Sequence, residues 1–179
     1  GRKLATTLKH SLIAPFGFIK KQLNQPLENL IPYLYHYGKA GSGKTTMARI
    51  GLYFWGIPSV ENDIGGSEAD TIARLGKQVS KSTFPMIINE PNAIFTKQTL
   101  TEIMKTAVER TNARRKFEGN NFNVILALNP IQYTSNFSLP NVEGLSRRFL
   151  QLLFTHSEIK NDHEKEVFMK KYHMDQPKE

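Results

Sequence analysis

Apolar residues in this chain recur at two spacings, and the alternation between them predicts strands separated by helices. Within residues 8–23, Leu12, Ile13, Phe16, Ile19 and Leu23 fall at helical spacing and predict one apolar face, disturbed by Pro15 and Gly17. Residues 31–37 read as a strand, followed by a Gly-rich loop and a helix over 45–55 that Gly56-Ile57-Pro58 stops. A short strand around Val60 leads into an acidic loop at 62–67, and 68–78 reads as a helix. Residues 84–88 predict a buried strand. Residues 100–114 predict a helix with Leu100, Ile103, Met104, Ala107 and Val108 on one face. Further strands are expected at 122–128 and 149–154, and an amphipathic helix at 158–172. Strands alternating with helices imply a parallel sheet in an α/β fold. Trp55, Tyr53 and Phe54 are expected in the core.

Composition narrows the class. The length of 179 residues suits one domain, and the 39% hydrophobic fraction argues for a folded chain. Without cysteine, disulfides and thiolate metal sites are excluded, which fits an intracellular, cytoplasmic protein. The five histidines show no metal-ligand spacing. No apolar stretch approaches the ~20 residues of a membrane span, and the N-terminus has no signal-peptide pattern, so no membrane partner is expected. A start at Gly1 and a polar end suggest a piece excised from a longer protein. The net charge of +8 favours an anionic partner. Its excess lies in the N-terminal segment (Arg2, Lys3, Lys9, Lys20, Lys21) and in a cluster of Arg110, Arg114, Arg115 and Lys116. Glu61, Asp63, Glu68 and Asp70 form a local acidic stretch.

The most specific signal is Gly38-Lys39-Ala40-Gly41-Ser42-Gly43-Lys44-Thr45, between an apolar strand and a helix. Glycines let such a loop curl its N–H groups onto phosphate oxygens, and the helix N-terminus adds a positive dipole. Lys44 is expected to reach the β- and γ-phosphates of ATP, and the Thr45 hydroxyl to ligate Mg²⁺, with Thr46 a second hydroxyl nearby. Met86-Ile87-Ile88-Asn89-Glu90 is an apolar strand ending in an acidic residue, the partner that a P-loop requires. Glu90 is expected as general base, and Thr45, Asn89 and Glu90 around the cation. Asn89 can accept a hydrogen bond from cation-bound water but carries no charge, which predicts weaker Mg²⁺ affinity. Val124 to Asn129 reads as another buried strand with a polar end, and Asn129 is expected beside Glu90, orienting the attacking water. In Gly144-Leu145-Ser146-Arg147-Arg148-Phe149, Arg147, or else Arg148, is expected to act in trans on a neighbouring subunit's nucleotide.

These four elements in this order resemble the AAA+ ATPase core. They are similar in particular to minichromosome maintenance and superfamily 3 replicative helicases, including those of archaeal plasmids and viruses. The resemblance covers about 13–154 and implies a three-layer αβα P-loop NTPase fold. It divides the chain into an N-terminal helical segment (1–30), the ATPase core (31–155) and a helical tail that could be a truncated lid (156–179). It implies a ring oligomer, a hexamer in most such helicases, moving along DNA that is single-stranded in the channel. Asn89 departs from the family's usual Asp, and the lid with its second sensor arginine is missing or reduced to the tail. Gly119-Asn120-Asn121 is a tight-turn signal, so 114–123 could form a small hairpin. In the family a basic hairpin before the sensor strand grips nucleic acid; a solvated helix end or a subunit interface are the other readings of this cluster. A nucleotide-dependent loader or switch without translocation is the second functional class. A small-molecule P-loop kinase fits the length but gives no reason for the order of Glu90, Asn129 and Arg147.

Overall fold

Runs such as Tyr33-Leu34-Tyr35-His36 and Met86-Ile87-Ile88 are buried on both sides, as strands in a sheet covered by helices must be. The computed structural model describes residues 1–118, 121–155, 161, 163, 164, 166, 167 and 170. Its helices are α1 (Arg2–Ile13), α2 (Gly17–Gln22), α3 (Lys44–Tyr53), α4 (Ser59–Asn62), α5 (Ile72–Val79), α6 (Asn92–Thr96) and α7 (Gln98–Glu109). Its strands are β1 (Tyr33–Gly38), β2 (Asp63–Gly65), β3 (Met86–Asn89), β4 (Asn112–Glu118), β5 (Asn121–Leu126), β6 (Ile131–Ser135) and β7 (Phe149–Phe154). Five strands form a parallel sheet in the order β2-β3-β6-β1-β7, and β4 pairs with β5 in a separate antiparallel hairpin.

Strand alternation sorts the two faces. Tyr33, Tyr35, Met86, Ile88, Ile131 and Tyr133 point into a large cluster with α5, α6 and α7, in which Phe95 and Phe149 meet Tyr35 and Tyr133 in edge and tilted ring contacts. Ile87 packs with Ala48 and Leu52 of α3 on the other face. That face also carries a buried polar network: Gln132 donates to Ser11 Oγ at 3.1 Å and lies 3.3 Å from the His36 ring. The His36 imidazole is pushed down to about 4, chiefly by burial and against the hydrogen bond to Gln132, so it is neutral here. Helices on both faces of a parallel sheet make the expected three-layer α/β sandwich.

The N-terminal helices turn the opposite face inward from the one their apolar spacing predicts. Leu12, Ile13, Phe16, Ile19 and Leu23 are 46–65% exposed, while Thr7, His10, Ser11, Ala14 and Lys21 are buried. Polar bonds hold this orientation. His10 Nε2 meets Pro32 O at 2.7 Å, the Trp55 indole donates to Ser11 O at 2.8 Å, and the Lys21 ammonium donates to Ala107 O and Ala127 O. Gly51 on α3 lets α1 approach, since a Cβ there would meet Ser11 Oγ at 2.3 Å. Tyr53 and Phe54 are exposed rather than in the core, and Trp55 packs edge-on between Phe54 and Phe84.

Other expectations shift by a few residues. The strand expected near Val60 begins at Asp63, after the short helix α4, and the helix expected over 68–78 starts at Ile72 after a 3-10 turn. The helix expected over 100–114 ends at Glu109, and Asn112 to Arg115 are already in the hairpin. The larger correction concerns the strand expected at 122–128. It is β5, the returning arm of the hairpin, and the strand that enters the sheet is β6 after Pro130. The tail expected as a helix, 156–179, lies almost wholly outside the described residues, as do the turn residues Gly119 and Asn120 and the Lys116 side chain.

Candidate active site

All five sheet strands run the same way, so the loops that follow them share one edge. The Gly-rich loop follows β1 there. Gly38, Gly41 and Gly43 have φ of 135°, 75° and 87°, a region that L side chains rarely adopt. At Gly38 the need is also steric, because a Cβ would lie 2.0 Å from Phe154 O. Around Gly41 and Gly43 the space is open. Lys44 begins α3, and its ammonium donates to Gly38 O at 2.8 Å, Lys39 O at 2.7 Å and Asn136 Oδ1 at 3.1 Å. Burial lowers its pKa, and the nearby Glu90 charge opposes that. Ser42 is buried with its hydroxyl unpartnered, and Thr46 follows Thr45 in the first turn of α3.

The end of β3 brings in the acidic pair position. Asn89 Oδ1 accepts from Thr134 Oγ1 at 2.5 Å and from Thr45 Oγ1 at 3.4 Å. Its amide nitrogen donates to Asp63, which Arg49 pairs at 2.7 Å. Glu90 follows at φ 49°, with its N–H donating to Thr134 O at 2.8 Å and its carboxylate 3.5 Å from the Ser135 hydroxyl. Lys44, Thr45, Asn89 and Glu90 thus converge at the strand ends.

Asn129 does not join them. It precedes β6, at the opposite edge of the sheet, where its Nδ2 donates to Gln78 O at 3.2 Å and its carbonyl accepts from Tyr33. The physical reason is the hairpin: because β5 takes up the apolar run, the chain enters the sheet only at Ile131. The polar residue that does follow the sheet strand is Asn136, bonded to Lys44. Sequence reasoning missed it because β6 reads Ile-Gln-Tyr-Thr-Ser, polar at alternate positions; Pro130, a residue tolerated at a strand start, was the available signal. Asn136→Ala should therefore slow ATP hydrolysis by about tenfold or more with nucleotide binding retained. Asn129→Ala should instead lower the melting temperature and leave the rate per folded molecule unchanged. Turnover and thermal melts of both variants check this.

Arg147 and Arg148 precede β7, and Phe149 is in register with Tyr33 at the edge away from the loop. The six residues of β7 span about 20 Å at ~3.3 Å each, so neither arginine reaches its own chain's P-loop. Arg148 is also committed internally. It is buried, pairs with Glu109 at 2.6 Å and donates to Gly144 O at 2.5 Å. That removes it as the alternative to Arg147, which is exposed. Arg110, at the end of α7 ahead of the hairpin, and Arg115 within it are exposed, Arg114 is half-buried, and the hairpin is held at its base by Ala127 N–H donating to Thr111 O.

The donor set fits a magnesium nucleotide. Thr45 Oγ1 and Asn89 Oδ1 are hard oxygen donors, and among the described residues no three His, Cys, Asp or Glu gather into a protein cage. Such sparse ligation suits Mg²⁺, which keeps waters and takes substrate phosphates as ligands. Among the described residues no helix is long and apolar enough to cross a membrane.

No family model matches the sequence, and no curated protein matches it. Solved structures do match in fold. The active helicase Cch of SCCmec type IV is 16% identical with a TM-score of 0.59, covering 94% of this chain and 30% of that one. NtrX from Brucella abortus in complex with ATP is 12% identical with a TM-score of 0.50, covering 96% of this chain and 41% of that one. The chain thus spans less than half the length of either. Its sheet order and its Gly-rich loop, with these likenesses in fold, give it the α/β fold of a P-loop NTPase, resembling the folds of that helicase and of the ATP-bound structure.

Proposed function

We propose that this chain is the ATP-hydrolysing motor core of a DNA helicase that works as a ring, a hexamer by the family resemblance, around single-stranded DNA. The observation that supports it best is the pairing of two features in one unit: a nucleotide edge built from Lys44, Thr45, Asn89, Glu90 and Asn136, and an arginine-bearing hairpin inserted directly ahead of β6.

In this reading the loop from Gly38 to Thr46 cradles the triphosphate of ATP, and Lys44 exchanges its loop carbonyls for phosphate oxygens. The Thr45 hydroxyl would ligate Mg²⁺ and the Asn89 carbonyl would accept from its bound water, with Glu90 close by; the ion would supply neutralisation of phosphate charge. Glu90 takes the proton of the attacking water. Asn136 positions that water or the γ-phosphate. Arg147 completes the site of an adjoining subunit. Arg110, Arg114, Arg115 and Lys116 contact DNA phosphates without reading sequence. The alternative, a loader or switch without translocation, draws support from the uncharged Asn89.

The separating experiment is an ATPase assay with and without single-stranded DNA, alongside unwinding by the longer protein. Severalfold stimulation that fades as salt rises, together with strand separation, is the expected result. Hydrolysis indifferent to DNA and no unwinding would favour the switch.

A further inference from the structure

Asn89 is an amide where a cation site wants an oxygen, and an amide can present either end. What decides is the group behind it. Asp63 opens β2 with its side chain only 4% exposed, and its two oxygens are both engaged. One accepts from Arg49 Nε at 2.7 Å and the other from Asn89 Nδ2. A carboxylate paired to a guanidinium is acceptor-only, so the Asn89 NH₂ must face it and the Asn89 Oδ1 must face Thr45 and Thr134.

We propose that Asp63 is a positioning residue for the magnesium site: it forms a hydrogen-bond relay in which Arg49 and the Asn89 amide both donate to its carboxylate, and this turns the Asn89 carbonyl toward the cation. The inference rests on the nucleotide-site reading above and extends it to the uncharged position 89. It also assigns a role to one member of the acidic stretch; of the other three, Glu61 and Glu68 lie exposed and Asp70 is half-buried and paired with Arg74.

The polarity of the relay makes the test specific. In Asp63→Asn, Arg49 remains donor-only and therefore selects the new amide oxygen, which leaves the new NH₂ facing Asn89. Asn89 must then flip and show its own NH₂ to the cation. The Mg²⁺ concentration for half-maximal effect should rise on the order of tenfold, the usual cost of exchanging a good oxygen contact for a wrong donor. Asn89→Asp alone sets two carboxylates against each other and should gain little. The pair Asp63→Asn with Asn89→Asp restores the relay, with the carboxylate moved to the cation, and should bind Mg²⁺ more tightly than the parent. Even with the attraction of that charge as weak as in water, the gain is about tenfold.

The measurement is a Mg²⁺ titration of fluorescent ATP-analogue binding, with Mn²⁺ uptake followed by electron paramagnetic resonance and thermal melts of each protein. Binding of the analogue without metal, measured in parallel for each protein, separates a moved Mg²⁺ midpoint from a change in nucleotide affinity. An Asp63→Asn midpoint equal to the parent's, or an Asn89→Asp protein matching the double variant, would overturn the relay. Should Asp63→Asn fail to fold, the contrast between Asn89→Asp and the double variant decides in the same way. A parent protein that binds no analogue at all would overturn the nucleotide-site reading itself, a distinct result from an unmoved midpoint.

Discussion

Glu90→Gln should bind ATP nearly as the parent does and hydrolyse it about 10²-fold more slowly or worse. Glu90 is the exposed carboxylate that directly follows β3; Asp63 is buried behind Asn89, and the Glu68 carboxylate is taken up by the Gly65 N–H. Glutamine keeps the shape and the contact with Ser135 but cannot take a proton, and a general base is worth about 10²–10⁴ in rate. The backbone gives a second, opposite signature. Among the described residues, Glu90 and Asn24 are the two non-glycine residues at positive φ, and for an L residue this costs about 1–2 kcal/mol. Gly66 backs it, leaving no room for a Cβ, which would lie 2.1 Å from Glu90 O. Strain retained at such a place fits a functional position. Glu90→Gly should therefore raise the melting temperature while abolishing turnover. Single-turnover hydrolysis, nucleotide binding and thermal melts read all three effects. An unchanged rate in Glu90→Gln would move the base elsewhere.

Legibility in the sequence followed the physics of each segment. Where burial is mostly apolar, pattern sufficed: β1, β3 and the buried face of α7 carry Tyr, Leu, Ile or Met at the right period, and β7 is anchored by the buried Phe149 and Phe154. The glycine loop was legible because its conformation admits few other residues. Two places misled, and in both the protein buries polar groups. In β6, Gln132, Thr134 and Ser135 are buried and bonded to Ser11, Asn89 and Glu90, so the central strand has a polar pattern. The neighbouring apolar run in β5 won the comparison, although Val124 and Leu126 are about 40% exposed. That single misassignment carried Asn129 to the wrong edge and hid Asn136. In α1 and α2 the inward face is His10, Ser11 and Lys21, whose partners are main-chain carbonyls and a glutamine distant in sequence. No periodicity can announce such partners. The same holds for Asp63, which reads as part of a local acidic stretch and is paired on both oxygens.

Arg147→Ala should bind ATP normally and hydrolyse it about 10³-fold more slowly, the low end of what an arginine finger contributes. The argument is one of reach. Arg147 lies before β7, at the edge opposite the P-loop, and the strand between them is longer than an arginine side chain. Its guanidinium can meet a γ-phosphate only on another copy. Arg148 offers the internal control. Its buried pair with Glu109 and its bond to Gly144 O tie the turn to α7, so Arg148→Ala should cost stability, about 3 kcal/mol for a broken buried pair. If Arg147 acts in trans, hydrolysis should rise with protein concentration as well as with nucleotide. Mixing settles it most directly. Arg147→Ala subunits retain an intact P-loop, and Lys44→Ala subunits retain an intact arginine, so each parent ring is inactive for a different reason. A mixed ring contains some interfaces that join an intact loop to an intact arginine, and partial activity should return. Co-assembly without any recovery would count against trans action, and undiminished hydrolysis by a strict monomer would exclude it.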